Sequence, residues 1–563
     1  MCSSDLNRKA PVMSGRHPDM SPPVDMTRRR ETGPARTTHP VYVDLLPPCN
    51  HACPAGEDIQ GWLALAQAGK ERAAWEHLVR DNPMPAVHGR VCYHPCETAC
   101  NRAELDSGVS IHGIERYLGD CATAGNWPLA ITGKPSGKRV LVVGAGPGGL
   151  SAAYHLARLG HEVEVHEAGK LPGGMLQFGI PAYRLPRDVL MHEIARIAAM
   201  GVKIVLSHRV EDLLAEESAG NFDAVFVAIG AQAGRNIGIP ARDAAHVVTA
   251  VSLLHDLGAG LVPKIGRHVV IYGAGDTAMD AARTARRLGA TEALIVFFSD
   301  RAHMEAHSFD AEEALSEGVK VRWLSSIRDI GTEALKVELM ALDDKGIPQP
   351  TGKFETLQAD GVILALGQQT ESGFLAGIPG IVVKPDGTVV VGPDMMTGHP
   401  GIFAGGDMVP GLRSVTTATG HGKKAARYID GWLSGRAFVP AVKHQVVGFA
   451  DLRLPIYSDA VVFGEVDVPT AERQGFAEVA EGLSQAVARR EAQRCLSCGN
   501  CFECDNCFAA CPEQAIAKLG RTRGYTVDMT LCTGCSVCVE QCPCHAIEMV
   551  PETAPARTRE QAL

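Results

Sequence analysis

Apolar residues follow two spacings along the chain. In residues 61–80, GWLALAQAGKERAAWEHLVR, they recur at helical spacing, which predicts a small helical domain near the N-terminus. Residues 137–149 (GKRVLVVGAGPGG) and 266–278 (GRHVVIYGAGDTA) each read as an apolar strand, a glycine-rich turn and the start of a helix. A second matched strand follows each of them, in FDAVFVAIGAQ and ADGVILALGQQ. The centre of the chain therefore contains a tandem repeat of two nucleotide-binding units.

The first glycine turn has the spacing of a dinucleotide-binding site. Gly144 and Gly146 allow a tight turn and close approach of a pyrophosphate to backbone N–H groups, and Gly149 lets the helix pack on the strand. The next strand, HEVEVHE, ends in Glu167, which is suitably placed to accept hydrogen bonds from a ribose. The alternative for Glu167 is a solvated strand end. The complete pattern of strand, turn, helix and acidic residue favours a nucleotide ligand.

The second glycine turn carries Gly273, Gly275 and Ala278, followed by a helix and the strand ALIVFF. Two dinucleotide units in one chain indicate that one binds a flavin and the other a nicotinamide. A hydride can then pass between the two ligands.

Net charge and hydropathy exclude several functions. The 563 residues carry a net charge of -10, and the pI of about 6.1 gives no sign of a nucleic-acid surface. The chain has no apolar run long enough to span a membrane and no secretory apolar region, and polar residues follow Arg28–Arg30 where an export signal would continue. We therefore expect a cytoplasmic protein that binds neither nucleic acid nor membrane.

The eighteen cysteines are concentrated at the two ends of the chain. Apart from Cys2, they fall within residues 49–121 and 495–544. A reducing cytoplasm disfavours disulfides. The cysteine-free centre also lacks the C-x-x-C that a thiol-disulfide reductase needs beside its flavin. Electrons must therefore leave by another route.

Two cysteine runs near the C-terminus have the C-x2-C-x2-C-x3-C-P spacing of bacterial ferredoxins, in which the fourth cysteine of each run binds the other cluster. The predicted [4Fe-4S] ligand sets are Cys501, Cys504, Cys507 and Cys542, and Cys532, Cys535, Cys538 and Cys511. A zinc ribbon is disfavoured because its cysteine pairs are separated by a longer loop. Cys2, Cys121 and Cys544 are expected to be plain thiols.

Residues 40–440 resemble the small subunit of glutamate synthase and related FAD-dependent NAD(P)H oxidoreductases. The resemblance rests on GRVCYHPCETAC, VVGAGPGGL, GGMLQFGIPAYRLP, GAGDTAMDAARTARRLGA and PGIFAGGDM, in that order. It implies that an NAD(P)H domain is inserted into an FAD domain. The cofactor-binding residues predicted from motif and resemblance together are Gly144, Gly146, Pro147, Gly149, Glu167, Gly174, Gly406 and Asp407 for FAD, and Gly273, Gly275, Asp276, Thr277, Ala278, Asp300 and Arg301 for the nucleotide. Asp407 would contact the ribityl or phosphate region; its alternative role is a helix N-cap or turn residue.

The nucleotide unit departs from the family at one point. Relatives that use NADPH carry two arginines just after the second strand of this unit, where they bind the 2'-phosphate. Phe298 and Ser299 stand there in this chain, and the nearby Asp300 suits a free 2'-hydroxyl and repels a phosphate. We therefore predict NADH rather than NADPH, although Arg301 offers a charge that would rescue phosphate binding.

The N-terminal cysteines match the family pattern incompletely. Cys49, Cys53, Cys92, Cys96 and Cys100 are present, but VYVDLLPP stands where the family has R-C-x2-C-G. The missing piece recurs as RCLSCG, with Cys495 and Cys498, just before the ferredoxin runs.

Two hypotheses for these cysteines stay open. In the first, Cys495 and Cys498 fold back to complete a cluster with Cys49 and Cys100, while Cys53, Cys92, Cys96 and Glu115 hold another. In the second, Cys495 and Cys498 are buried thiols or a separate small site, and one N-terminal cluster uses four of the five local cysteines. The second needs no docking of ligands recruited across several hundred residues.

These patterns predict an α/β protein with two tandem Rossmann-like domains, the NAD(P) domain inserted in the FAD domain, flanked by an N-terminal α-helical Fe-S domain and a C-terminal α+β bacterial ferredoxin-like domain. The predicted bounds are 1–40 for a disordered tail, 41–135 for the helical Fe-S domain, 136–242 and 370–440 for the FAD-binding domain, 243–369 for the NAD(P)H-binding domain, 441–490 for a linker and 491–563 for the ferredoxin-like domain.

The function expected is electron transfer between NAD(P)H and a ferredoxin or a ferredoxin-dependent enzyme complex, such as a 2-oxoacid:ferredoxin oxidoreductase, through FAD and [4Fe-4S] clusters. Glutamate synthase small subunits as a rule lack the appended ferredoxin module, which disfavours a simple assignment to that enzyme. We expect a hetero-oligomeric assembly. The alternatives are the NADPH-oxidising small subunit of a glutamate synthase and a non-catalytic redox sensor. Hydride and electron transfer require no side-chain acid or base, so no catalytic residue is predicted.

Overall fold

A computed structural model describes residues 36–234, 239, 247–453, 459–520 and 523–552. The chain divides into a larger compact unit, residues 46–449 and 458–497, and a smaller one, residues 1–45, 450–457 and 498–563. Among the described helices, none has the length and apolar character needed to cross a membrane.

The larger unit begins with a helical part. Its helices are α1 Pro48–Ala52, α2 Ile59–Gln67, α3 Glu71–Leu78, α4 Pro85–Val91, α5 Pro95–Thr98 and α6 Ile111–Ala124. The predicted helical stretch 61–80 is split between α2 and α3 because Gly69 has a left-handed backbone, with φ of 68°. The buried Trp62 and Trp75 belong to the same core as the flavin-domain strands.

The first predicted nucleotide unit is a five-stranded parallel sheet. Its strands are β2 Arg139–Val143, β3 Glu162–His166, β4 Lys203–Val205, β5 Ala224–Val227 and β16 Ile402–Ala404, in the order β16-β5-β2-β3-β4. Its helices are α7 Pro147–Arg158, α8 Met175–Phe178, α9 Arg187–Ala198, α10 Leu213–Gly220 and α14 Val415–Leu433. In such a sheet the ligand crevice lies beyond the carboxyl ends of the strands.

The second unit is inserted between β5 and β16 and has its own five-stranded parallel sheet. Its strands are β7 Val247–Thr249, β8 His268–Tyr272, β9 Glu292–Val296, β10 Lys320–Arg322 and β14 Gly361–Leu364, in the order β10-β9-β8-β14-β7. The helices are α11 Ala250–Gly258, α12 Asp276–Arg287 and α13 Ser308–Ser316, and the antiparallel strands β11 Ser325–Ile330, β12 Ala334–Leu342 and β13 Pro348–Gln358 form a separate sheet. The short strands β6 Ala233–Gly234 and β15 Gln368–Gln369 pair where the chain leaves and re-enters the first unit. The α/β class with two tandem parallel sheets is confirmed.

The C-terminal half of the predicted linker 441–490 has regular structure. That half contains the paired strands β17 Val466–Asp467 and β18 Ala480–Glu481 and the start of helix α15 Gln485–Ala492. Ala488 and Ala492, one helical turn apart, are buried in the core of the larger unit. The apolar face of α15 therefore makes this segment a packed part of the larger unit.

The smaller unit contains β1 Thr38–Tyr42, α16 Asn506–Ala510, β19 Ile516–Lys518, β20 Tyr525–Val527, α17 Val537–Glu540 and β21 Ile547–Pro551. Most of the predicted disordered tail lies outside the described residues. Its last three residues, 38–40, are instead the start of β1, whose backbone pairs antiparallel with β21. The predicted boundary between residues 242 and 243 also lies outside the described residues.

Candidate functional site

The first glycine turn opens a cavity of about 320 Å³ at the carboxyl end of β2. Gly144 has φ of 103°, and a Cβ there would lie 2.5 Å from the carbonyl oxygen of Ala228. A Cβ on Gly174, which has φ of 53°, would lie 2.8 Å from Cα of Gly146. A side chain at either position would meet backbone, so both must be glycine. The predicted residues that line this cavity are Gly144, Gly146, Pro147, Glu167, Gly174, Gly406 and Asp407.

Gly149 has a different role from the residues that line the cavity. A Cβ on it would lie 1.9 Å from the carbonyl oxygen of Gly144. Its lack of a side chain therefore allows α7 to pack against the turn, as the sequence pattern predicts.

Glu167 follows β3 and is only 8% exposed. Its carboxylate accepts hydrogen bonds from the backbone N–H groups of Ala145, at 2.8 Å, and Gly169, at 2.7 Å. The alternative of a solvated strand end is therefore wrong. A carboxylate has about four lone-pair sites, so capacity for ribose hydroxyls remains.

Asp407 lies in a short 3-10 helix, Gly406–Met408, just after β16. It does not cap the following helix, because Ser414 is the N-cap of α14 and accepts from the backbone N–H of Thr417. Burial raises the pKa of Asp407 to about 6, although Arg413 opposes the shift. A largely desolvated carboxylate that lines a cavity suits the recognition of ligand hydroxyl groups.

A second cavity, of about 540 Å³, lies at the carboxyl end of β8. Gly273, Gly275, Asp276 and Thr277 line it, whereas Ala278 is buried within α12. Gly273 has φ of 129°, and a Cβ there would lie 2.2 Å from a carbonyl oxygen. This glycine-rich lining suits the close approach of a dinucleotide pyrophosphate, and the assignment stays a prediction.

Asp300 and Arg301 do not line this second cavity. Asp300 caps a short 3-10 turn and accepts from His303, at 3.2 Å from the backbone nitrogen and 2.5 Å from Nδ1. Phe298 lines the cavity, and Ser299 is buried. The assignment of Asp300 and Arg301 to the nucleotide stays a prediction.

The two cavities have part of their walls in common. Pro147, Met175, Asp407 and Ala418 line both of them. Ligands bound in the two cavities would therefore meet at these four residues.

Three of the N-terminal cysteines lie together beside Glu115. Burial raises the pKa values of Cys53, Cys92 and Cys96, that of Cys92 to about 12, and the neighbouring Glu115 raises all three further. Glu115 itself is buried beside Glu57, and both factors raise its pKa. Metal ligands bind in their deprotonated, negatively charged forms. A bound cation would therefore offset the repulsion among these buried groups. These residues fit one of the predicted iron-sulfur ligand sets.

Sequence reasoning missed two residues of this buried polar group. The side-chain amide of Asn82 donates to Glu115 at 2.6 Å and to Glu57 at 3.1 Å. No sequence spacing signals this contact, because the three residues come from different loops and helices.

Cys495 packs against the same core that contains Cys49 and Cys96. The preceding Arg494 is buried and fixes this segment on the loop after Cys100. Its guanidinium donates to Asp106 at 3.0 Å and to the carbonyl of Gly108 at 3.1 Å. This contact fixes the segment that carries Cys495, and the fold-back hypothesis stays a prediction. Cys498 belongs to the smaller unit.

The smaller unit brings together both crossed sets of ferredoxin cysteines. Burial raises the pKa values of Cys501, Cys504 and Cys507, and the neighbouring Cys542 raises each of them further. The members of the second set, Cys511, Cys532, Cys535 and Cys538, line one small cavity. The ring of Tyr42 lies near the first set, with its hydroxyl 3.3 Å from Sγ of Cys507. Tyr42 falls within the predicted helical Fe-S domain, so the sequence does not predict this contact with a ferredoxin cysteine.

Three segments of the chain match known protein families. Residues 138–422 match the pyridine nucleotide-disulphide oxidoreductase family, residues 45–127 match dihydropyrimidine dehydrogenase domain II with its 4Fe-4S cluster, and residues 500–546 match a 4Fe-4S dicluster domain.

Three curated relatives cover most of the chain. The beta subunit of the NADP(+)-dependent formate dehydrogenase of Moorella thermoacetica is 35% identical over 80% of this chain and 70% of its own length. The beta subunit of the NADPH-Fe(3+) oxidoreductase of Geobacter sulfurreducens is 32% identical over 80% of this chain and 75% of its own. The small chain of the NADPH glutamate synthase of Escherichia coli is 32% identical over 69% of this chain and 89% of its own. The chain therefore belongs to the pyridine nucleotide-disulphide oxidoreductase family, as a homologue of the glutamate synthase small chain and an FAD- and NAD(P)H-dependent oxidoreductase with 4Fe-4S domains at both ends.

Proposed function

We propose that this enzyme passes electrons between NADH and a ferredoxin, or a ferredoxin-dependent enzyme complex, through FAD and [4Fe-4S] clusters. The observation that carries this proposal is the wall that the two cavities have in common, formed by Pro147, Met175, Asp407 and Ala418. Hydride transfer requires donor and acceptor to be held in direct contact, which favours two ligand sites with one common wall. Bound FAD would supply the exchange between a two-electron hydride and single electrons.

Helix α14 supports an exit for electrons toward the N-terminal cysteines. The hydroxyl of Thr416 lies 3.2 Å from Sγ of Cys92, to which it donates. Two residues further along the same helix, Ala418 lines both cavities. His88 is held beside the helix by a 3.0 Å hydrogen bond to Thr419. Thr416, which contacts a predicted cluster ligand, and Ala418, which lines the proposed flavin site, are therefore less than one helical turn apart on α14.

The preference for NADH rests on the residues that follow β9. Phe298 is 44% exposed and lines the nucleotide cavity, and Ser299 is 2% exposed. Neither offers the positive charge that a 2'-phosphate requires. This proposal departs from the three relatives, whose names specify NADP(+) or NADPH.

The proposed partner follows from the two ferredoxin-like ligand sets of the smaller unit, which suit electron exchange with a second iron-sulfur protein. The three relatives are each named as a subunit or chain of a larger enzyme, which supports a hetero-oligomeric assembly here.

The decisive experiment mixes the cluster-loaded enzyme anaerobically with NADH or NADPH and follows bleaching of the flavin and cluster absorption, with and without ferredoxin. We expect rapid bleaching by NADH and onward reduction of ferredoxin. Bleaching without onward transfer would refute ferredoxin as the acceptor and favour a dedicated partner subunit. Absence of reduction by both nucleotides would refute the enzyme activity.

A variant pair tests the nucleotide preference. Phe298→Arg adds a cation at the cavity and should raise kcat/KM for NADPH relative to NADH by about tenfold, because one charged hydrogen bond contributes about 1.5 kcal/mol or more. Leu315→Arg is the matched control, since Leu315 is exposed on α13 and does not line the cavity. A wild-type enzyme with a strong preference for NADPH would contradict the proposal.

A further inference from the structure

A polar cluster beside the flavin cavity has no part in the proposed electron transfer. It consists of His166 at the end of β3, His208 in the loop after β4 and Glu216 on α10. One ring nitrogen or carboxylate oxygen of each residue lies within 4.8 Å of the others. Oε1 of Glu216 is 3.1 Å from Nδ1 of His166 and 3.0 Å from Nε2 of His208.

Glu164 fixes the orientation and the tautomer of the His166 ring. Nε2 of His166 lies 3.0 Å from Oε1 of Glu164. Oε1 of Glu164 also accepts a hydrogen bond from Lys203 at 2.9 Å. A carboxylate accepts hydrogen bonds, so Nε2 of a neutral His166 ring carries the hydrogen and Nδ1 carries the lone pair.

That lone pair is directed into the cluster without a partner. Nδ1 of His166 is buried and has no hydrogen-bond partner among the residues that the structure describes. It faces the carboxylate of Glu216 across 3.1 Å. A cation between or beside the neutral ring nitrogen and the carboxylate oxygen would stabilise this contact.

The loop that carries His208 is held firmly against β3. The backbone N–H of His208 donates to the carbonyl of Glu167 at 2.8 Å, and that of Ser207 donates to the carbonyl of Gly169 at 2.8 Å. Ser207 adopts a left-handed backbone, with φ of 56°. A serine in this strained conformation is retained only where its surroundings determine it. The two histidines are therefore preorganised toward one another.

We propose that His166, His208 and Glu216 bind one divalent metal ion of the zinc class. Two imidazole nitrogens and one carboxylate oxygen are a common zinc ligand set, with a water molecule as the fourth ligand. The hydrogen bond from His166 to Glu164 is the carboxylate-histidine contact that orients metal-bound imidazoles. His208 and Glu216 have side-chain exposures of 40% and 26%, which gives an ion access from solvent. Both histidines line the flavin cavity, so the ion would add positive charge to its wall.

The test measures zinc directly and does not depend on electron transfer. The oxidised, cluster-loaded enzyme is treated with a chelator and then dialysed against increasing zinc chloride, and bound zinc is measured per chain. Zinc K-edge X-ray absorption identifies the ligands, since nitrogen and oxygen lie at about 2.0–2.2 Å from zinc and sulfur at about 2.3 Å. We expect one zinc per chain in an environment of nitrogen and oxygen only.

Variants assign that zinc to the cluster. His208→Asn and Glu216→Gln should weaken its binding by about tenfold or more, and Glu164→Gln by about 10- to 100-fold with all three ligands still present. His192→Asn is the control, because His192 is exposed on α9, where its Nδ1 lies 2.9 Å from the carbonyl oxygen of Asp188. Circular dichroism verifies that each variant is folded. A wild-type enzyme without this zinc, zinc bound by sulfur alone, or binding unaffected by the variants would overturn the proposal.

Discussion

The buried Asp310 should make the local stability of the nucleotide-binding part depend on pH. Asp310 lies on α13 and is 1% exposed, and its carboxylate oxygens have no hydrogen-bond partner among the described residues. Arg184, from the flavin part of the chain, lies 3.3 Å away and also pairs with Asp280 at 2.9 Å. Burial raises the pKa of Asp310 to about 7, although Arg184 opposes the shift.

The direction and size of the effect follow from this pKa. An unfolded Asp has its ordinary pKa of 3.8, so the folded protein holds a proton that the unfolded chain has already lost. The resulting stability is complete below about pH 4 and is lost as the pH rises through about 7. Between pH 5.5 and 8.5 the loss corresponds to about 1.5 pKa units, or about 2 kcal/mol, which is roughly a 30-fold change in the opening equilibrium.

Native-state hydrogen exchange of peptides that cover Ser308–Ser316 measures this local opening. Wild type and Asp310→Asn are compared at the same pH, so that the pH dependence of intrinsic exchange cancels. The ratio of the wild-type to the variant opening constant should rise about 30-fold from pH 5.5 to pH 8.5. Glu312→Gln, on the exposed face of the same helix, is the control. A ratio that does not change with pH would refute the reasoning, because Asp310 would then stay ionised when buried.

Three further predictions concern the cofactors. If the fold-back hypothesis holds, Cys495→Ser should lower the iron content from about sixteen to about twelve atoms per chain. Cys121→Ser is the control and should keep the wild-type iron content. A wild-type content of about twelve would contradict the hypothesis. Gly174→Ala should lower FAD affinity by about tenfold or more, because left-handed backbone costs about 1–2 kcal/mol and the new Cβ would lie 2.8 Å from Gly146. Gly201→Ala is matched to it, with φ of 95° and no neighbour within 4 Å, and should retain FAD in a fluorescence titration. Cys535→Ser should leave reduction of the flavin by NADH intact and slow reduction of the acceptor; equal acceptor rates would exclude that cluster from the route.

Features that rest on local spacing could be predicted from the amino-acid sequence. Strands β2 and β8 with their glycine turns were predictable because a tight turn, a close backbone approach and a helix start each require particular residues at fixed intervals. The crossed ferredoxin sets were predictable for the same reason, since the spacing of the cysteines reflects the geometry of the clusters. The class of the protein and its cofactors follow from these motifs.

Contacts between residues that are distant in the chain could not be predicted from local spacing. Several contacts join segments whose sequences give no indication that they meet. They are the contact of Arg494 with Asp106, that of Thr416 with Cys92, the pairing of β1 with β21 and the cluster around His166. Packing sets these contacts, because burial depends on the whole chain and a side chain's partners depend on which surfaces the core brings together. The wall that the two cavities have in common, formed in part by Asp407 and Ala418, is also set by packing. The route proposed for the electrons depends on this wall.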